Sequence, residues 1–332
     1  MGVLPLIALL LLLTPDNAPK LAAVEKAVAA ALAANDTKAL NELGWEAVAS
    51  LPADSETAKR LESYVLTDGL KEKAYVPEGF EVFLGPAPAV EPKNVSLHWE
   101  SGSGHGFTLR RYRAQWSEQG LEVRRMRYFR NVRTDKKQGV VMESTVIPKR
   151  RAEVVLRAVL AASALGLREP DPLHGHEWSS ANFHVLLRMR TDRTIVSKQF
   201  TGYSGTSGAP RYVGLQVCNS LLSEALAPCE WKAERPTDAD LANLAQRLST
   251  LADESWWVRE RLILMAGFVG DKRCMPDLEA QIRRPLESVL RRHRYAIDAY
   301  ARISGVDLRP REFGTAEVTA TRAKYIAYFE SR

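Results

Sequence analysis

From Val95 onward apolar residues fall at every second position, and this alternation restricts the middle of the chain to β-sheet. Val95-Ser-Leu97-His-Trp99 opens the pattern. Phe107–Trp116 and Leu121–Arg130 continue it, split by the turn-forming Ser117-Glu-Gln-Gly120. Val140–Ile147 is the next strand. Arg150–Leu165 then changes the period. Val154, Val155, Ala158, Val159, Ala162 and Leu165 share one side of a helix, and Gly166 supplies its C-cap. Strands resume at Phe183–Arg190, Thr194–Phe200 and Arg211–Cys218. This order of elements predicts an α+β fold, with an antiparallel sheet and a packed helix in the middle of the chain.

The segments around that middle divide the chain further. Residues 1–17 contain the uninterrupted apolar run Val3–Leu13, ended by Thr14-Pro15-Asp16-Asn17. A run of this length matches a signal-peptide core and is too short to span a bilayer, which needs about 20 residues. The chain is therefore expected to be exported, to the periplasm or to the outward face of a membrane, with membrane association through this segment left open. A buried N-terminal helix in a cytoplasmic protein is the alternative. Residues 18–72 read as helical hairpins: Ala18–Ala34, Lys38–Ser50 capped by Asp36 or Thr37, and Glu56–Leu66. Residues 73–94 read as a linker, because Pro77, Gly79, Gly85, Pro86, Pro88 and Pro92 disfavour both helix and central strand. The sheet region takes 95–235 and a helical region takes 236–332.

The net charge of +6 is unevenly spread. Residues 1–92 hold 7 Lys and Arg against 13 Asp and Glu, whereas residues 93–213 hold 21 against 10. An acidic partner is thus expected to meet the middle of the chain. Cys218, Cys229 and Cys274 form no CxxC pair, which argues against a thiolate zinc site. Cys218 and Cys229 are close enough in sequence to close a small disulfide loop in an oxidising compartment; three buried thiols are the other reading.

Within 236–332, Trp257-Val-Arg-Glu-Arg-Leu262 runs through Ala266 to Gly270-Asp271, then Pro276-Asp-Leu278 to Ile282. This segment resembles a HEAT-like repeat of the PBS-lyase type, with a Val-Arg start, small residues on the first helix, a Gly-Asp turn and Pro-x-Leu opening the second helix. Leu290-Arg291 through Ala296, Ala299, Ile303 and Gly305 is similar to the first helix of a second copy, offset by 32 residues. Such arrays usually need about three units, so Asp238–Leu251 and Glu317–Phe329 are expected to act as caps. The resemblance implies a protein-interaction role for this region.

Three groups of residues carry candidate chemistry. Gly205-Thr-Ser207-Gly-Ala-Pro210 resembles the segment around the nucleophile of chymotrypsin-like serine proteases. That resemblance would make Ser207 a nucleophile with His98 or His105 as its base. The remainder of that family's pattern is absent, and a Gly/Ser hairpin tip explains the segment equally. His174 and His176 alternate in an extended stretch and are a weak metal-ligand pair, His184 or Asp171 being the nearest further ligands. No metal and no other cofactor is expected.

The densest signal is arginine. Arg110, Arg111, Arg113, Arg124, Arg125, Arg127 and Arg130 crowd two adjacent strands, with Trp116 and Tyr128 among them. Such a sheet could bind an acidic protein or an anionic lipid surface. Export argues against nucleic acid. The competing reading pairs these arginines with nearby carboxylates such as Glu122 and Glu143. Taken together, the residues lead to a non-catalytic interaction or scaffold protein, exported, with a basic sheet surface. A serine hydrolase using Ser207 and a cytosolic nucleic-acid or phospholigand binder are the alternatives.

Overall fold

The computed structural model of the chain describes residues 18–52, 54–66, 95–103, 108–130, 138–164, 182–190, 195–203, 213–250, 256–286 and 290–332. The signal-like segment, the linker, His105, His174, His176 and Ser207 lie outside these residues.

The alternating stretch forms strands β1 (Ser96–Ser103), β2 (Thr108–Trp116), β3 (Gly120–Arg130) and β4 (Gln138–Pro148). The β2–β3 turn closes through Ser117, whose amide donates to the Gly120 carbonyl at 2.7 Å. Gly120 has φ of 138°, and a Cβ there would lie 2.2 Å from the Ile147 carbonyl oxygen, so only glycine fits between the turn and β4. Strands β5 (Asn182–Arg190), β6 (Ile195–Tyr203) and β7 (Lys232–Glu234) complete a seven-stranded sheet of order β6-β5-β1-β2-β3-β4-β7. Every neighbouring pair is antiparallel.

Helices cover both faces. The first face packs against α4 (Lys149–Ala164) and α5 (Val213–Leu226), and α1 (Ala18–Ala33), α2 (Thr37–Ser50) and α3 (Glu56–Leu66) extend the same core, α2 lying against α4. Leu97, Trp99, Ala114, Leu121, Val123 and Ile147 are the strand contribution to that core. The second face packs against α6 (Asp238–Ser249) and α7 (Trp256–Val269), and α8 (Met275–Arg283), α9 (Arg291–Ser304) and α10 (Val318–Glu330) extend the same core behind them. Leu109, Met126, Tyr128 and Met142 serve this second core. The alternation read from sequence is therefore apolar on both faces at different heights along the strands, which one packed helix could not cover.

One element differs from the sequence reading: of the strand expected over Arg211–Cys218, the described residues from Val213 onward belong to helix α5, Val213–Leu226. Cys218, Leu221, Leu222, Ala225 and Leu226 recur at helical spacing and are all buried in the first core, and that burial outweighs a short local alternation. The possible disulfide is also absent: Cys218, Cys229 and Cys274 are free thiols. Cys218 Sγ turns instead to the Val159 carbonyl at 3.7 Å, and Cys229 Sγ to the Ala225 carbonyl at 3.4 Å.

Helix α6 is fixed by its start. Thr237 caps it, its hydroxyl accepting from the Asp240 amide while the Asp240 carboxylate accepts from the Thr237 amide, a reciprocal capping box. Asp240, Leu244, Arg247 and Leu248 then lie buried along α6. Two of these are ionisable, and their partners come from the strands.

Candidate functional site

Strand register brings Glu100 opposite Arg111, and α6 lies over both. The Arg111 Nε donates to Glu100 Oε1 at 2.8 Å, and its Nη2 donates to Asn243 Oδ1 at 2.8 Å. From α6, Arg247 Nε donates to Glu100 Oε1 at 3.0 Å and Oε2 at 3.1 Å. Arg247 Nη1 also donates to the Thr250 hydroxyl at 2.8 Å. Glu100, Arg111 and Arg247 are only 3%, 8% and 3% exposed. Removing three ions from water costs several kcal/mol each, so their geometry has to be mutually satisfying.

A second knot lies one step along the strands. Arg113 and Arg124 face each other across β2 and β3. Arg124 Nε donates to Asp240 Oδ2 at 2.9 Å, and Arg113 Nε stands 3.5 Å from Oδ1. Arg124 also pairs with Glu234 on β7, which accepts from the Ser144 hydroxyl. Burial raises the Asp240 pKa, but the bonds from Thr237 and Arg124 outweigh it and hold the carboxyl below its ordinary value. Glu234 is held low as well, first by the Ser144 hydroxyl.

The other strand parity serves the first face. Arg125 pairs with Glu143 at 2.7 Å, and its guanidinium lies 3.8 Å from the Trp231 ring centroid. Trp231 is tilted against Tyr112, which stacks on Trp99 at 4.4 Å between centroids. Arg127 stands 3.7 Å from the same Glu143 carboxylate. Trp116 is half-buried against the first core. Tyr128 is fully buried on the second face, its ring 6.4 Å from Phe268. Arg110 is exposed, and Arg130 ends β3 opposite Gln138.

The arginines occupy both strand parities in the sequence, and helices or carboxylates meet them on both faces, so they do not form the open basic sheet surface expected. Alternation sends Arg111, Arg113 and Arg124 to one side and Arg125 and Arg127 to the other, and each set is tied to a carboxylate there. Sequence reasoning missed Glu100, Asp240, Asn243 and Arg247. Three of these sit on α6 at i, i+3 and i+7, one face of a helix, which was the available signal.

Between β1, β2 and α6 lies a cavity of about 220 Å³, lined by His98, Glu100, Arg111, Asn243, Gln246 and Arg247 among others. His98 Nδ1 stands 3.1 Å from Asn243 Nδ2. The Arg111 bond to Asn243 Oδ1 fixes which end of the carboxamide is nitrogen. Nδ2 therefore donates and His98 Nδ1 accepts, so the neutral imidazole carries its proton on Nε2. Of the hydrolase residues only His98 is among the described residues, and its Nδ1 is engaged by α6. Among the described residues no group of three or more His, Cys, Asp or Glu could hold a metal ion. Among them, too, no helix is long and apolar enough to cross a membrane.

No family model matches the chain. No curated protein and no solved structure matches it either.

Proposed function

We propose that the chain is an exported, non-catalytic interaction or scaffold protein whose C-terminal helices form a short HEAT-like stack braced by the sheet. The apolar run Val3–Leu13 supports export. The observation that carries the scaffold reading is the contact between α7 and α9, the first helices of the two repeat-like segments. Gly267 and Ala299 occupy equivalent positions 32 residues apart and meet each other. A Cβ on Gly267 would lie 2.9 Å from the Ala299 Cβ, so a small residue at that position lets the two helices approach. Other local details agree with a repeat unit. Asp271 caps the turn after α7, Pro276 stands in the first turn of α8, and α9 ends at left-handed Gly305. Tyr300, Tyr325 and Phe329 join α9 to α10 through edge-on and tilted rings, a suitable end to a stack. The short N-terminal helices would be packing hairpins on the far side of the sheet.

The cations available to an acidic partner on this reading are those left exposed. Arg110 is one. Arg283 and Arg332 are two more: they share the single Glu279 carboxylate, which leaves the exposed pair net positive, and both lie close to the Phe329 ring. Retention on a polyglutamate matrix in graded salt tests the reading. Retention that falls with salt, and is lost in an Arg283→Glu, Arg332→Glu double variant, is expected. Passage of the native protein without retention at low salt would overturn the basic-surface part. Covalent labelling by a fluorophosphonate that disappears in Ser207→Ala would overturn the non-catalytic part.

A further inference from the structure

We propose that the basic corner where the C-terminal end of α8 meets α10 docks on an anionic lipid surface, with Leu286 entering the headgroup layer. The inference rests on the acidic-partner reading above and names that partner as lipid. Leu286 is 40% exposed, and it is the one large hydrophobic residue that stands exposed among the described residues. It follows Arg283-Arg284-Pro285, directly after α8. Pro285 cannot continue the helix, and Leu286 beyond it takes no part in the second core. Arginines gather round the same place. Arg322 on α10 donates to the Ile282 carbonyl at 2.6 Å, to that of Arg283 at 2.8 Å and to that of Arg284 at 2.6 Å. Carbonyls are neutral acceptors, so these bonds cap α8 without cancelling the Arg322 charge. Arg283 and Arg332 share Glu279 at 3.0 Å and 2.8 Å. Arg283 meets it through Nε and Nη2, which leaves its two Nη1 donors without a partner among the described residues.

Charge and shape select the partner. Residues 279–294 and 318–332 hold eight Lys and Arg against three Glu. Helix α8 packs on α9, and α10 packs on both, which brings the two segments together. This excess of positive charge attracts anionic headgroups. An acidic polypeptide would satisfy the arginines equally well, but it offers an exposed leucine nothing apolar to enter. A lipid surface does, because an apolar side chain among arginines can lie at the boundary between headgroups and acyl chains. Arginine suits that boundary too, since its stem is apolar and only its head needs water or phosphate. Tyr328 is half-buried at the same corner, its ring 4.9 Å from the Arg332 guanidinium, and tyrosine is favoured at the headgroup level.

The test is sedimentation of the full chain with vesicles of phosphatidylcholine alone and of an equimolar mixture with phosphatidylglycerol. Partition onto the mixed vesicles should be stronger by about tenfold or more and should fall with salt. The apolar run Val3–Leu13 is common to both arms and to every variant, so the difference between vesicles reads the charged corner. Arg283→Glu with Arg332→Glu should abolish that difference. Leu286→Ser leaves every ion pair in place; it should weaken partition onto the mixed vesicles severalfold while polyglutamate retention stays as in the native protein. All three positions are exposed, and unchanged circular dichroism verifies the fold. Equal partition of the native protein onto both vesicles overturns the proposal, and if polyglutamate still retains the chain the acidic-partner reading survives. Failure on both vesicles and polyglutamate removes the two together. A Leu286→Ser variant that partitions as the native protein does also overturns docking through this corner.

Discussion

Arg247 of α6 and Glu100 of β1 lie 3.0 Å apart, although 147 residues separate them in the chain. Arg111 shares the same carboxylate from the next strand. This buried triad fastens the C-terminal helices to the sheet, and Glu100 is the one carboxylate that both guanidinium groups share.

Glu100→Ala should therefore cost about 3–5 kcal/mol, because two guanidinium groups remain buried without their common acceptor. A triple variant, Glu100→Leu, Arg111→Met, Arg247→Met, should recover most of that loss, since it removes the charges together. Urea unfolding of the three proteins measures both effects. A triple variant no more stable than Glu100→Ala would mean that the triad's geometry, not its charge, holds α6.

Acid should loosen the same region in a defined range. Asp240 and Asp307 both have folded pKa values below the ordinary one, Asp307 at about 2, where the Arg309 hydrogen bond is the chief cause. A depressed carboxyl contributes its stability fully above its unfolded pKa of about 4 and loses it as pH falls through the folded value. The urea midpoint should thus hold steady from pH 7 to 5 and drop between pH 4 and 2. In Asp240→Asn that drop should be shallower, with lower stability at pH 7.

Gly267→Ala should destabilise the helical layer by about 1–3 kcal/mol, since the added Cβ overlaps Ala299. Pairing it with Ala299→Gly should remove the Cβ–Cβ overlap and recover part of the loss, the Ala299 Cα at 3.0 Å remaining a tight contact. A double-mutant cycle on thermal unfolding gives the coupling.

Thiol alkylation should separate the native from the unfolded chain. Burial pushes the Cys218 and Cys274 thiols up to about 12, and the half-buried Cys229 thiol is raised as well. At pH 8 in native buffer, iodoacetamide should leave Cys218 and Cys274 unmodified, and denaturation should expose three reactive thiols. Only one reactive thiol after denaturation would instead signal a Cys218–Cys229 disulfide.

The strands were legible because their burial has a period of two that is visible over any eight residues. Phe107–Trp116 and Leu121–Arg130 match β2 and β3 to within one residue at either end, and the Ser117–Gly120 turn stands where the sequence puts it. Arg150–Leu165 matches α4 equally well, because a helical stripe of six apolar residues has no competing reading. What the sequence withheld was pairing at a distance. Nothing near Arg124 in the chain announces Asp240, 116 positions away, and nothing near Arg111 announces Asn243. An arginine count therefore registers as surface charge until the helix that buries it is known. Arg211–Cys218 failed for the opposite reason: five residues of alternation sit at the start of a longer helical stripe, and the longer pattern prevailed.

The order in which the two helical layers reach the sheet has its own consequence. Strands β1 to β4 and helices α1 to α4 all precede residue 165, whereas α6 begins at Asp238. During synthesis the sheet can gain its first cover while its second face, with Leu109, Met126, Tyr128 and Met142, is still bare. A chain stalled or cleaved before Asp238 would present that apolar row beside unneutralised arginines. Such a fragment is a natural client for a chaperone and a ready seed for clumping, so proteolytic clipping in the 226–238 stretch should remove the protein from solution rather than release two working halves.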